Sequence, residues 1–591
     1  MAFFTRFLGK TIKDDTPYLY ENDIVYPVHA LDDTKTFRGA LLTWSICFND
    51  VLDADKLQQS LTKLLSIGDW KKIGGRLRLK EDGALEIHAP WAFTADRPAF
   101  SYSYVNMDQA IEDHPVAQTI PKPNGSVAMW SAPKDFKELV SRPDTPATIE
   151  DLLAGDTPQV SLHITSFINA TIVGFSWPHT LMDGMGLKHL VHGWSLVLAG
   201  RESEVPPLLG AKEDVLSTIA DATAHMREES CMKSKQLKGL SKLAFGGKFI
   251  WDIMTNPAPE MRTLCLPKTV MAKLRLQVQQ DIASASGGDG KDVFVSDGDV
   301  FTAWLIHTIA TASPHPRPVT LTQGINARFR IPLLINAQGV FVQNMLAVGF
   351  TLYSPDVATG PIGQIAQSTR QQLAEQATEG QVIANIEAQR VAGDPLAALY
   401  SDLNAVPIVT TNWGKGKFFH TVDFGPAVLR AGDTSLTRCN SPGTPFFHHS
   451  LTLSPPPLQA VLSIRYYCLL FVFNNAFWMG QLHGAQPCLL SSNAAPESAG
   501  QVPFSISAAL LTAANTFCHT AGLTLSNVLQ FAWVLLLRHY TACATVSFAH
   551  LASDRDHADG DDAVGPLLSL LVARLSLADA DTPVAAARRL R

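Results

Sequence analysis

The chain has 591 residues, enough for several domains, and 46% of it is hydrophobic while 17% is charged. That composition excludes a disordered chain, a coiled coil and a collagen-like fibre. Forty-seven basic against 54 acidic residues give a formal charge of −7 with no long run of either sign, so no basic face argues for nucleic acid.

Eight cysteines, Cys47, Cys231, Cys265, Cys439, Cys468, Cys488, Cys518 and Cys543, include no C-x-x-C pair, so no zinc or thioredoxin-type motif is readable. In a chain this long they read as reduced thiols, and the expectation is a cytoplasmic protein. The start, MAFFTRFLGKTIKDD, has too short an apolar stretch for a signal peptide. The most apolar run, YYCLLFVFNNAFW at 466–478, is too short to span a bilayer.

In chain order, residues 54–67 repeat Leu57, Leu61, Leu64 and Leu65 at helical spacing, and strand-like runs follow at 73–79 and 84–88. The run ATIVGFSW at 170–177, bounded by Pro178, reads as a buried strand. Leu187, Leu190, Val191, Trp194, Val197 and Leu198 then form a helical stripe that Gly200 closes. Residues 206–290 read as a connector with a lysine-rich helix (Lys233, Lys235, Lys238, Lys242) and a loop, SGGDGKD. Ser296 with Asp299 predicts a capped helix start, continued by Val300, Ala303, Trp304, Ile306 and Ile309. Strands mixed with amphipathic helices give an α/β (α+β) class.

The turn between the buried strand and its helix carries His179-Thr-Leu-Met-Asp183-Gly184. A histidine at a strand end is held rigidly, and an ordinary imidazole pKa near 6.5 suits a general base. Asp183, where the helix begins, is placed to cap free N–H groups. The plain alternative is a hydrogen-bonded turn histidine beside an N-cap aspartate. A metal site would need further ligands, and no spacing links His189 or His192 to His179, so no metal is expected.

The turn is similar to the HxxxDG motif of the BAHD acyltransferases, in their fungal, trichothecene acetyltransferase-like branch. Other pieces follow in the family's order. Ile73-Gly74-Gly75-Arg76-Leu77 resembles its AGR segment, and Ser296 to Asp299 its S-x-x-D helix start. Asn326-Ala327-Arg328-Phe329-Arg330 and Gln343-Asn344 resemble its N-x-R-x-R and GN pair. Asp423-Phe424-Gly425 resembles DFGWG, with Thr411-Asn412-Trp413 before it. Two departures stand out: Pro426-Ala427 replaces the end of DFGWG, and Phe341-Val342-Gln343-Asn344 lacks the glycine of YFGN.

The resemblance implies two chloramphenicol-acetyltransferase-like lobes with an active-site tunnel between them, spanning 1–215 and 291–470 across a connector at 216–290. It makes His179 the base and Asp183 its partner in the motif, structural and paired bidentately with Arg328, with Gly184 supporting the turn. Thr411, Asn412 and Trp413 would line the substrate tunnel, while Asp423, Phe424 and Gly425 would serve the fold. The reaction implied is direct O-acylation of a small hydroxylated secondary metabolite by acyl-CoA, with no tightly bound cofactor, no nucleic-acid or membrane partner, and a monomer. The donor is equally open to a carrier-protein thioester, and a non-catalytic condensation-like binding module is the reading from another class.

From Phe477 the chain reads FWMGQLHGAQPCLL, then TLSNVLQFAWVLLLRHY, then DAVGPLLSLLVARLSL. Trp478, Trp533 and Val564-Gly565-Pro566 resemble the C-terminal half of a nonribosomal peptide synthetase condensation domain, which implies a partial third lobe at 476–591. No HHxxxDG motif is present, since His448-His449 lack the trailing aspartate. The tail is expected to be catalytically inert, a fusion remnant or an artefact of sequence assembly. The run at 466–478 is expected to stand where the acyltransferase lobe would have its final helix.

Overall fold

The computed structural model describes residues 20–120, 127–130, 136–223, 228–255, 260–286, 294–313, 315–395, 398–431, 446–453 and 468–473, and in the tail 508–521, 528, 531, 532, 535, 545–553 and 568–576. The N-terminal segment, most of the SGGDGKD loop, Trp478, Trp533 and Val564-Gly565-Pro566 lie outside them. The chain divides into two units, Met1–Phe477 and Trp478–Arg591.

The larger unit has a five-stranded sheet, in the order Phe446–Leu453, Ala40–Phe48, Thr171–Pro178, Ser161–Ser166, Ser101–Asn106; its first strand comes from the C-terminal part of the unit and the other four from the N-terminal part. Thr171–Pro178 is central and buried along its whole length, which is why its sequence runs apolar without alternation. The helix Ala54–Leu65, started by Asp53, whose side chain accepts from Lys56 N–H at 2.9 Å, shares one hydrophobic core with the sheet's Trp44, Ile46, Phe175 and Trp177. Leu57, Leu61, Leu64 and Leu65 are fully buried, each stabilising by about 1.5–3 kcal/mol relative to exposure. The helix Gly184–Leu198 packs beside it, and Trp194 Nε1 donates to Ser60 Oγ at 2.9 Å.

The second half has a smaller sheet, in the order Leu346–Tyr353, Val319–Asn326, Val406–Thr410, with the last pair parallel. The helix Asp297–Thr311 lies in its core, and its start is a complete capping box: Ser296 Oγ accepts from Asp299 N–H while Asp299 accepts from Ser296 N–H at 2.7 Å. The helices Lys268–Ser286 and Ile362–Gln376 flank it; Gly363 N–H donates to Asp281 at 2.9 Å.

The connector is more ordered than the sequence suggests. Two of its lysines, Lys233 and Lys235, sit in a single tight turn ahead of the helix Leu240–Thr255, not in one lysine-rich helix. The strand Glu260–Cys265 and the helix Lys268–Ser286 complete it. Within the run at 466–478, Cys468–Phe473 is an antiparallel strand paired with Glu260–Cys265. Residues 68–74 form a tight helical turn, so the strand expected at 73–79 is confined to Arg76–Leu79. The smaller unit contains the helix Ala508–Ala521 and a hairpin pairing Thr545–Ser553 with Leu568–Ser576. Among the described residues no helix is long and apolar enough to cross a membrane.

Candidate active site

His179 stands where the central strand ends, and its backbone N–H donates to the Ala40 carbonyl at 2.8 Å. The turn closes at once, with Leu181 N–H donating to Pro178 O and Trp177 Nε1 to Met182 O, both at 3.0 Å. The imidazole stacks on Phe37, with ring centroids 4.4 Å apart and 13° between the planes. Burial holds the ring below the ordinary imidazole pKa; its own carbonyl, Asp183 and the amide of Asn344 oppose that shift. The ring is therefore neutral at pH 7, the state a general base requires.

Asp183 caps the helix Gly184–Leu198. Its Oδ1 accepts from the N–H groups of Met185 and Gly186 at 3.0 and 2.8 Å. Its Oδ2 accepts from Arg328 Nη1 at 2.8 Å and from Met345 N–H at 3.2 Å. Arg328 donates its Nη2 to Gln343 O at 2.5 Å and its Nε to Phe341 O at 3.2 Å. The pair is thus single-pointed, not bidentate, because the rest of the guanidinium holds the 341–343 backbone. Residues 145 positions apart are tied at the turn that aims His179.

Gly184 and Trp413 are in direct apposition: a Cβ on Gly184 would lie 2.8 Å from Trp413 Cε2. Trp413 also stacks on Phe418 at 5.8 Å. Asn412 faces Gly298, where a Cβ would lie 2.7 Å from its Nδ2, and its Oδ1 accepts from Gly414 N–H at 2.8 Å. Thr411 follows the strand Val406–Thr410 and is half-buried. Lys188 and Lys415 lie beside these groups. Burial, then Lys417 for the first and Arg330 and Arg370 for the second, holds both ammonium groups below their usual pKa.

Asp423, Phe424 and Gly425 sit apart from His179. Asp423 N–H donates to Ser195 Oγ at 3.0 Å, and Phe424 is buried between Phe48 at 5.4 Å and Trp194 at 4.6 Å. Pro426 O accepts from Lys56 Nζ at 2.6 Å and Ala427 O from Asp53 N–H at 2.7 Å, so the departure from DFGWG leaves this crossing intact.

A cavity lined by Thr43, Lys137, Gln159, Ser176 and Trp177 opens near the same strand end, but His179 does not line it. The site is defined by the contacts of His179 itself. Among the described residues no group of three His, Cys, Asp or Glu side chains is placed to hold a metal. Phe37 carries no signal in the sequence, being one aromatic residue in a polar stretch. Asn344, whose Nδ2 donates to the His179 carbonyl at 2.7 Å, is legible only through the family resemblance.

Residues 471–591 match the Condensation domain family. The rest of the chain is similar to fungal acetyltransferases. O-acetyltransferase PaAT-2 of Phomopsis amygdali is 33% identical over 440 residues, covering 73% of this chain and 89% of that one. Acetyltransferase BOT5 of Botryotinia fuckeliana is 32% identical over 458 residues, covering 73% and 84%. Acetyltransferase adrJ of Penicillium rubens is 31% identical over 457 residues, covering 76% and 91%. Among solved structures, F. graminearum TRI101 complexed with coenzyme A and T-2 mycotoxin superposes with a TM-score of 0.52 at 12% identity, over 78% of this chain and 97% of that one. That likeness establishes the fold, a lobed one. At 33% identity over 73% of its length with the first of these relatives, the chain belongs to the family of fungal acetyltransferases.

Proposed function

We propose that this protein transfers an acetyl group from acetyl-CoA to a hydroxyl of a small, fairly apolar fungal metabolite, in the cytoplasm, with His179 as general base. The observation that carries this reading is the neutral, stacked imidazole at a strand end, where Asn344 and Arg328 of the second lobe converge on the turn of the first. The part-buried lysines Lys188 and Lys415 give the surroundings a positive field suited to a polyanionic donor. Trp413 offers an apolar wall.

In this reading Nε2 of His179 takes the acceptor's hydroxyl proton as its oxygen attacks the thioester carbonyl. The tetrahedral intermediate collapses with cleavage of the C–S bond, and the departing CoA thiolate takes that proton back. Asp183 has no part in these transfers, since both its oxygens are engaged by other donors.

The test is thiol release from acetyl-CoA, with water as a poor acceptor, by folded protein and by His179→Ala. Slow release that drops about 10²–10⁴-fold in the variant supports the reading; equal release overturns it. A second donor, an acyl group thioesterified to a carrier protein, is favoured by one observation, the match of residues 471–591 to condensation domains. Acetylated carrier protein used faster than acetyl-CoA in the same assay would select it.

A further inference from the structure

Asp32 is buried, and its Oδ1 accepts twice from one residue: from the backbone N–H of Asn344 at 2.7 Å and from its Nδ2 at 2.6 Å. The Nδ2 group also donates to the His179 carbonyl at 2.7 Å. An asparagine amide has two donor hydrogens on nitrogen and one acceptor oxygen. Both hydrogens are directed at acceptors, a carboxyl oxygen and a carbonyl. Turning the amide over would set Oδ1 against both, so hydrogen bonding fixes its orientation.

With the nitrogen committed, the only remaining polar atom of the Asn344 side chain is Oδ1, which is buried without a partner among the described residues. The Nδ1 of His179 is buried in the same condition, so the two atoms do not close a hydrogen bond with each other in this arrangement, although the Asn344 side chain opposes the lowering of the ring's pKa. An acceptor and a ring nitrogen left over at two side chains already joined through a backbone carbonyl are complementary. Burial raises the Asp32 pKa against the pull of the buried Lys72, yet a protonated Oδ2 leaves Oδ1 free to accept, so the arrangement holds in either state.

We propose that Asp32 is a positioning residue: by fixing the amide of Asn344 it leaves Oδ1 as the acceptor for Nδ1–H of His179, and so reserves Nε2 as the basic nitrogen. The inference rests on His179 being the base. Asp32 holds Asn344, while the Asp183–Arg328 pair holds the residues on either side of it, Gln343 and Met345. The one pair aims the backbone of the turn; the other selects the tautomer of the ring it carries.

The test reads the tautomer from the ring ¹⁵N shifts of His179 in histidine-labelled protein, with His179→Gln assigning the signals. Wild type is expected to carry its proton on Nδ1; a proton on Nε2 overturns the proposal. Asp32→Leu removes the acceptor at similar volume. It should mix the tautomers and lower kcat by about 10²–10⁴-fold, the range a wrongly protonated catalytic histidine costs, with KM for acetyl-CoA little changed. Asp32→Asn, which keeps an oxygen where Oδ1 stands, should restore the wild-type tautomer and most of kcat. A folded Asp32→Leu protein with wild-type tautomer and rate overturns the proposal. Where Asp32→Leu does not fold, Asn344→Leu takes its place and must mix the tautomers; an unmixed one overturns it. The tautomer is read without turnover, so its failure is distinguishable from failure of His179 as a base.

Discussion

Arg328 meets Asp183 through one nitrogen, Nη1 to Oδ2 at 2.8 Å, while its other donors hold the carbonyls of Gln343 and Phe341. Asp183 receives four hydrogen bonds, two per oxygen, and an asparagine there can accept at only one of those oxygens. Asp183→Asn therefore turns an amide NH₂ toward either the helix N-terminus or Arg328, and leaves the arginine buried without a counter-charge. The expected loss is about 3–5 kcal/mol in urea unfolding, a large share of a typical domain's total. The fraction that folds should keep more activity than His179→Ala. Asp183→Asn that is fully stable yet as inactive as His179→Ala would place Asp183 in the chemistry.

Much of the first lobe is legible in the sequence because its elements are strongly periodic. The leucines of Ala54–Leu65 repeat at helical spacing, Pro178 bounds the mainly apolar run of Thr171–Pro178, and in the second lobe Ser296 and Asp299 announce their helix by a hydrogen-bonding requirement. The helix Lys268–Ser286 is not legible, since its buried residues Met271, Val278 and Ile282 form too sparse a stripe among polar ones. The pairing of Cys468–Phe473 with Glu260–Cys265 is not legible, since a short apolar run carries no signal of a partner far away in the chain. At the site, local chemistry marks His179 and Asp183. The partners that aim them lie far away in the chain: Arg328 and Asn344 come from the other lobe, and Phe37 and Asp32 from a segment without periodicity.

Gly184 is required by the close approach of Trp413. A methyl group there would lie 2.8 Å from the indole, so the ring or the helix start must move. Gly184→Ala is expected to cost about 1–3 kcal/mol, as other overpacked sites do. If Trp413 lines the acceptor pocket, KM for the acceptor should rise more than KM for acetyl-CoA. Equal changes in both would remove Trp413 from that pocket.

The pH dependence of kcat follows from the lowered pKa of His179. Only the neutral ring accepts a proton, so activity is complete above the folded-state pKa and lost as pH falls through it. Burial is the main cause of the lowering, and the acid limb should lie below the ordinary imidazole value near 6.5. His179→Ala should abolish that limb. An acid limb above 6.5 would mean that a neighbouring carboxylate, not burial, governs the ring.

His189, one turn into the helix that Asp183 caps, supplies a stability test independent of catalysis. Burial, with the cations of Arg328 and Lys188, pushes its pKa down to about 3. The unfolded chain takes up a proton as pH falls through about 6.5, and the folded one does not until far lower. The unfolded state then binds more protons, so this contribution is complete above 6.5 and lost on acidification. Between pH 6.5 and 5 the wild type should lose about 1.5 kcal/mol relative to His189→Gln, read by urea unfolding at each pH. A constant difference across that range would mean that the folded ring takes up its proton over the same pH range as the unfolded one. In that case a positive charge would sit beside Arg328, and the Asp183–Arg328 tie would have to neutralise two cations.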